Sequence, residues 1–135
     1  MSLHYTIDAG ARRVYETASD LVSLTEILEA RTRWLVNLND NLGVTVLSDY
    51  RKASLDAKRL ELRFLAAALA QRMRERQVYW AVAAPEPATF GQFRMLMSFL
   101  EAEGASPMCV FRELFPARQW LAAYLLPDRR NEEHG

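Results

Sequence analysis

The chain has 135 residues, half of them apolar and a quarter charged, with 17 basic and 17 acidic residues and a formal net charge of zero. That length suits one domain with a single core, and the balanced charge supplies no global field to draw in nucleic acid or an anionic membrane. One cysteine, Cys109, excludes an intrachain disulfide and a cysteine-cluster metal site, which suits a reducing cytoplasm.

In chain order, residues 4–8 alternate apolar and polar, 9–11 supply a turn, and 12–18 resume with Val14 and Tyr15, the pattern of an opening hairpin. Ser23-Leu24-Thr25-Glu26 is a capping box, so a helix is predicted from about Ser23. Its apolar face is Leu24, Ile27, Leu28, Trp34, Leu35 and Leu38 at 3.6-residue spacing, and the turn-forming residues 37–43 end it. The β-branched run 44–48 reads as a buried strand, and residues 55–76, rich in Ala, Leu and Arg, as a long second helix. Residues 78–84 are continuously apolar and stop at Pro85-Glu86-Pro87, the signature of an interior strand covered on both faces. A third helix is expected over 89–103 with Gly104 as its left-handed stop, then a strand over 108–111 and a last helix over 116–125 opened by Pro116. Strands alternating with helices at this spacing predict an α/β fold with a largely parallel sheet. One domain is expected over 1–127, with a flexible polar tail over 128–135. There is no secretory leader pattern, and arginines interrupt every helical segment before membrane-spanning length, so the expectation is a cytoplasmic protein with no integral membrane span.

Catalytic constellations are easier to reject than to find. His4 and His134 are the only histidines, one near each end, which disfavours a Ser-His-Asp or Cys-His centre. No P-loop, Gly-x-Gly-x-x-Gly or helical histidine pair occurs, so nothing calls for a nucleotide, a metal or another cofactor. In an open α/β sheet the ligand site lies beyond the carboxyl ends of the strands, here the loops 49–54, 85–89 and 112–115. They contribute Asp49, Tyr50, Arg51, Ser54, Glu86, Thr89 and Arg112 as candidates for a partner or ligand site. Asp49 and Arg51 either orient a polar group or are solvated loop charges. Tyr50 either lines a pocket mouth or packs its ring over the sheet.

Ser54 stands where the second helix should begin, and an N-cap accounts for it fully. Phosphate on Ser54 would meet a helix N-terminus with Arg51, Lys52, Lys58 and Arg59 close by, so the same serine is also a candidate phosphorylation site. Arg31 falls at the centre of the first helix's apolar arc. Either its stem lies on apolar surface with the head reaching water, or an inward guanidinium holds a carboxylate such as Asp49. Residues 51–76 carry a basic excess spread all round the helix, which fits a solvated face better than nucleic-acid binding.

Two helices carry surplus apolar surface. On the second, Leu60, Phe64 and Ala67 form a stripe apart from Leu62, Leu65, Leu69 and Met73; on the third, Met95 and Phe99 lie outside the face made by Phe90, Phe93, Leu96, Met97 and Leu100. Either neighbouring helices of the same domain absorb the surplus, or a homodimer contact or an apolar ligand groove uses it. Trp34, Trp80, Trp120 and Cys109 are assigned to the core.

The stretches GVTVLSDYRKASLD, VYWAVAAPEPATFGQFRM and CVFRELFPARQWL, with the order of elements, resemble the bacterial SpoIIAA-like family of STAS/SEC14-domain proteins. The matching positions are Asp49 and Arg51 in an Asp-x-Arg loop, Pro85 and Pro87 after the next strand, and Val110, Phe111, Ala117, Trp120 and Leu121 at the end. The resemblance implies a mixed sheet with helices on both faces and a non-enzymatic role. Relatives of that fold act as anti-sigma-factor antagonists switched by serine phosphorylation, or bind lipids and other apolar molecules. Ser54 lies near the antagonist's phosphoserine position without its Asp-Ser-Ser-Gly or Asp-Ser-x-Gly surroundings. The expectation is therefore a regulatory or binding module for a protein partner, with an apolar small molecule or lipid held between helices and sheet as the alternative.

Overall fold

A computed structural model describes residues 2–38, 42–105 and 107–124; the expected tail over 128–135 lies outside them. Five strands, β1 (Leu3–Asp8), β2 (Arg13–Ser23), β3 (Val44–Asp56), β4 (Val78–Ala83) and β5 (Met108–Phe111), form one sheet in sequential order β1-β2-β3-β4-β5. β1 and β2 make the antiparallel hairpin, and the remaining neighbours are parallel, so the sheet is mixed and mostly parallel. The helices are α1 (Leu24–Asn37), α2 (Arg59–Glu75), α3 (Pro87–Ala102) and α4 (Leu114–Ala122).

Each parallel crossover steps to the next strand in the same direction, and right-handed crossovers of that kind put their helices on one face. The larger core shows this: α1, α2 and α3 enclose Trp34, Leu62, Leu69, Phe93, Leu96 and Leu100 against Val46, Trp80 and Val82 of the sheet. On the opposite face α4 packs Ala117 and Leu121 on Leu47, Ala81 and Ala83. Because side chains alternate along a strand, Val46 and Leu47 serve different cores, and the run 78–83 is apolar because both of its faces are covered.

Local signals act as their chemistry predicts at two helix ends. Ser23 Oγ accepts from Glu26 N–H at 3.2 Å while Glu26 accepts from Ser23 N–H at 3.0 Å, and a second Glu26 oxygen takes Ser2 N–H at 3.0 Å. Gly104, at φ +73°, follows the end of α3 in the left-handed conformation that glycine adopts without a Cβ penalty.

The main departure from expectation is β3, which runs on to Asp56 instead of stopping at residue 48. Beyond Asp49 its partner is β2 alone: the register shifts between Thr17 and Ser19, then continues as Ser19 with Lys52 through Ser23 with Asp56. β4 ends at Ala83, opposite Asp49, so the two longer strands project past it as a ribbon. Residues 50–56 are thus strand, α2 starts at Arg59, and the N–H of Lys58, which precedes it, donates to Glu61 at 3.0 Å. Ser54 is therefore not a helix N-cap.

Candidate functional site

The ribbon lacks β4 beside it, and the first turn of α3 takes its place. Thr89 Oγ1 accepts the Leu55 N–H at 3.2 Å, and Ser54 Oγ donates to the Glu86 carboxylate. Glu86 is the N-cap residue of α3 by position but does not cap it with its side chain; Pro87 at the start of the helix has no N–H to satisfy. Thr89 is buried, so Thr89→Val removes the only role its hydroxyl shows without changing shape. We expect the variant to lose about 1–2 kcal/mol in urea unfolding, with faster amide exchange at Leu55 as the local sign.

On the outer side of the ribbon an open cleft of about 300 Å³ is lined by Asp20, Leu21, Arg51, Lys52, Ala53, Ser54 and Glu86. The register shift explains its composition. Ala53 and Leu55 turn into the main core with Val22, while Leu21, paired with Ser54, faces out and is 57% exposed. Asp20 holds a positive φ of 57° at this irregularity. Arg51 leans back on Asp49, its Nε 3.0 Å and Nη2 2.9 Å from the carboxylate oxygens, and its own N–H donates to Asp49 at 3.0 Å. Burial pushes the Asp49 carboxyl up, but the bonds from Arg51 outweigh it and hold the group below its ordinary value.

The cleft thus gathers Arg51, Ser54 and Glu86 among the expected site residues, with Asp49 attached through Arg51 and Thr89 buried beneath. Of its two alternatives Tyr50 takes the packed one: it lines no mouth and is fully buried, edge-on to Phe93 with centroids 4.8 Å apart. Arg112 belongs to a separate cleft of about 360 Å³ with Phe90, Val110, Phe111, Glu113 and Pro116, its guanidinium 4.8 Å from the Phe90 ring centre. Met95 and Phe99 are half-buried against the main core, with the Arg63 guanidinium over Phe99, whereas Leu60 and Phe64 of the α2 stripe stand bare, 63% and 69% exposed. Trp120 is half-buried on α4, its ring tilted against those of Tyr124 and Phe111 rather than sealed in a core.

A second polar constellation lies inside the protein. Arg31 does not reach water. It is fully buried, its guanidinium 5.1 Å from the Trp34 ring centre and 4.5 Å from that of Trp80. The carboxylate beside it is Glu16, not Asp49. Trp34 Nε1 donates to Glu16 at 3.1 Å, Ser48 Oγ donates to the other Glu16 oxygen, and Trp80 Nε1 donates to Ser48 Oγ at 2.8 Å. One chain of hydrogen bonds therefore joins β2, β3, β4 and α1. Burial lowers the Arg31 pKa and the Glu16 charge opposes that shift. Burial likewise raises the Tyr50 hydroxyl well above its ordinary value, so Tyr50 is neutral. Sequence reading missed Glu16, although it stands on the inward face of β2 between Val14 and Ala18, where a period-two strand has no other place for a charge than the core.

Among the described residues no group of three or more His, Cys, Asp or Glu is placed to hold a metal ion, and no helix is long and apolar enough to cross a membrane. The chain matches no family model and no curated protein.

Proposed function

We propose that this protein is a non-enzymatic binding or regulatory module of SpoIIAA-like type that recognises a protein partner through the outer side of the β2–β3 ribbon. The observation that carries the reading is Leu21, an exposed apolar side chain that shares one cleft with Asp20, Arg51, Lys52 and Glu86. An apolar centre inside a polar rim is the make-up of a protein interface. Charges of both signs suit a folded partner better than a polyanion, and an open cleft covers less of a small molecule than a ligand pocket does. Ser54 and Thr89 anchor the ribbon to α3, so the surface is pre-organised and loses little freedom on binding. The ribbon leads directly into α2, where Leu60 and Phe64, one turn apart, extend the available apolar surface.

Leu21→Asp and Lys52→Glu are expected to weaken capture of the partner from the native cell extract at least tenfold, with Val36→Asp, on the exposed side of α1, retaining it. Equal capture by all three variants would refute the reading. Sedimentation of the pure protein shows whether the partner is a second copy, since a self-associating chain dissociates on dilution and the Leu21→Asp variant would stay monomeric.

A further inference from the structure

β5 closes one side of the sheet, and only its inner edge is paired. Trp80 N–H donates to the Pro107 carbonyl at 3.1 Å and Ala84 N–H to that of Phe111 at 2.7 Å, so residues 107, 109 and 111 aim their backbone groups at β4. In a ladder the residues between them aim the other way. The N–H and C=O of Met108 and Val110 therefore leave the sheet sideways, while both side chains enter the main core. The Val110 carbonyl meets the Cys109 thiol at 4.0 Å, a weak contact that a backbone N–H readily displaces. Met-Cys-Val-Phe carries none of the charges that usually guard an open edge, whereas β1 at the far side shows His4, Thr6 and Asp8 to solvent. Two clefts flank the β5 edge on the α3 side. One of about 310 Å³ lies at the start of the strand, between Met97, Leu100 and Glu101 of α3 and Pro107 and Met108; the cleft of about 360 Å³ that holds Phe90 and Arg112 lies at its end.

We propose that this edge recognises a second copy of the chain: two β5 strands pair antiparallel about a twofold axis at Cys109 and join two five-stranded sheets into one. In that register Met108 stands opposite Val110 of the second copy and Val110 opposite its Met108, each pair exchanging two N–H···O=C bonds. The axis is perpendicular to the sheet, so the two α3 helices lie antiparallel on one face. Glu101, in the last turn of α3, then comes to the Arg112 end of the second copy, and symmetry makes the pair twice. Both groups are exposed, and Arg112 already leans toward α3 over Phe90. Glu113 stands immediately before α4, where the helix N-terminus suits its charge. A foreign strand would have to bring an acid for Arg112 and a base for Glu101; a second copy has both in place. The edge shares no residue with the ribbon cleft and stands independently of the partner reading.

The test is sedimentation equilibrium of the reduced wild-type protein, followed by oxidation with diamide. A dimer is expected, with its dissociation constant raised about tenfold in Arg112→Glu and restored when Glu101→Arg is added. Leu21→Asp, in the ribbon, should leave the dimer unchanged. Cys109 lies opposite itself as a non-hydrogen-bonded pair, with Cα atoms about 4.5 Å apart, a separation that a disulfide spans. Diamide takes two electrons and two protons from two thiols, so it should trap the wild-type dimer through the chain's single cysteine, and trap it faster than Arg112→Glu at equal concentration. A wild type still monomeric at about 0.1 mM, a dimer that diamide leaves uncrosslinked, an unchanged dissociation constant in Arg112→Glu, or loss of the dimer in Leu21→Asp overturns the proposal. If a variant does not fold, the wild-type sedimentation and crosslinking decide alone.

Discussion

Replacing Glu16 with alanine should cost about 3–5 kcal/mol of stability, since it removes the one carboxylate beside a fully buried guanidinium and leaves the Trp34 N–H and the Ser48 hydroxyl without their acceptor. For a domain of ordinary stability, about 5–15 kcal/mol, that is a large share of the total. Glu16→Gln keeps an acceptor for one donor and loses the charge, so its loss should be smaller. The double variant Glu16→Leu with Arg31→Met separates the two contributions: replacing both ions by apolar groups removes their desolvation penalty and should recover most of what the single change loses. Urea unfolding followed by tryptophan emission measures all three. A Glu16→Ala variant within about 1 kcal/mol of wild type would mean that the buried pair is not what the geometry says it is.

Phe93→Ala is the second large effect, about 3–5 kcal/mol, for a different reason. Phe93 is fully buried and edge-on to both Tyr50 and Trp80, with centroids at 4.8 and 6.1 Å, so its removal opens a cavity where α3 meets the sheet. Phe64→Ala deletes the same side chain from a position 69% exposed on α2 and should change stability by less than about 0.5 kcal/mol. Two phenylalanines, each within a helix, thus differ through their burial. Equal losses at the two positions would contradict the assignment of Phe64 to free surface.

What could be read from the sequence depended on how far apart the interacting groups stand. The capping box at Ser23 is written within four residues, and the covered strand Val78–Ala83 announces itself by an unbroken apolar run. The length of β3 is different. Arg51, Lys52, Ser54 and Asp56 look like a loop leading into a helix, and it is the pairing with Ser19–Ser23 and the bonds to α3 that keep them extended. Ser54 consequently changes role, from helix cap to donor toward Glu86, a residue 32 positions away. Asp49 and Arg51, two residues apart, were legible as a pair. Arg31 was legible as an anomaly, but its inward course depends on Glu16, Trp80 and Ser48, each on a different strand. Local chemistry located the elements; the site is made by contacts that a linear pattern does not encode.

The ribbon's outer side is the central claim, and photo-crosslinking tests it most directly. A photoreactive phenylalanine analogue placed at position 21 should form one discrete adduct with a partner protein in living cells, and the same group at position 36 should form none. Adding Lys52→Glu should abolish the position-21 adduct. An adduct at position 36 in place of position 21, or none at position 21 at all, would contradict the account.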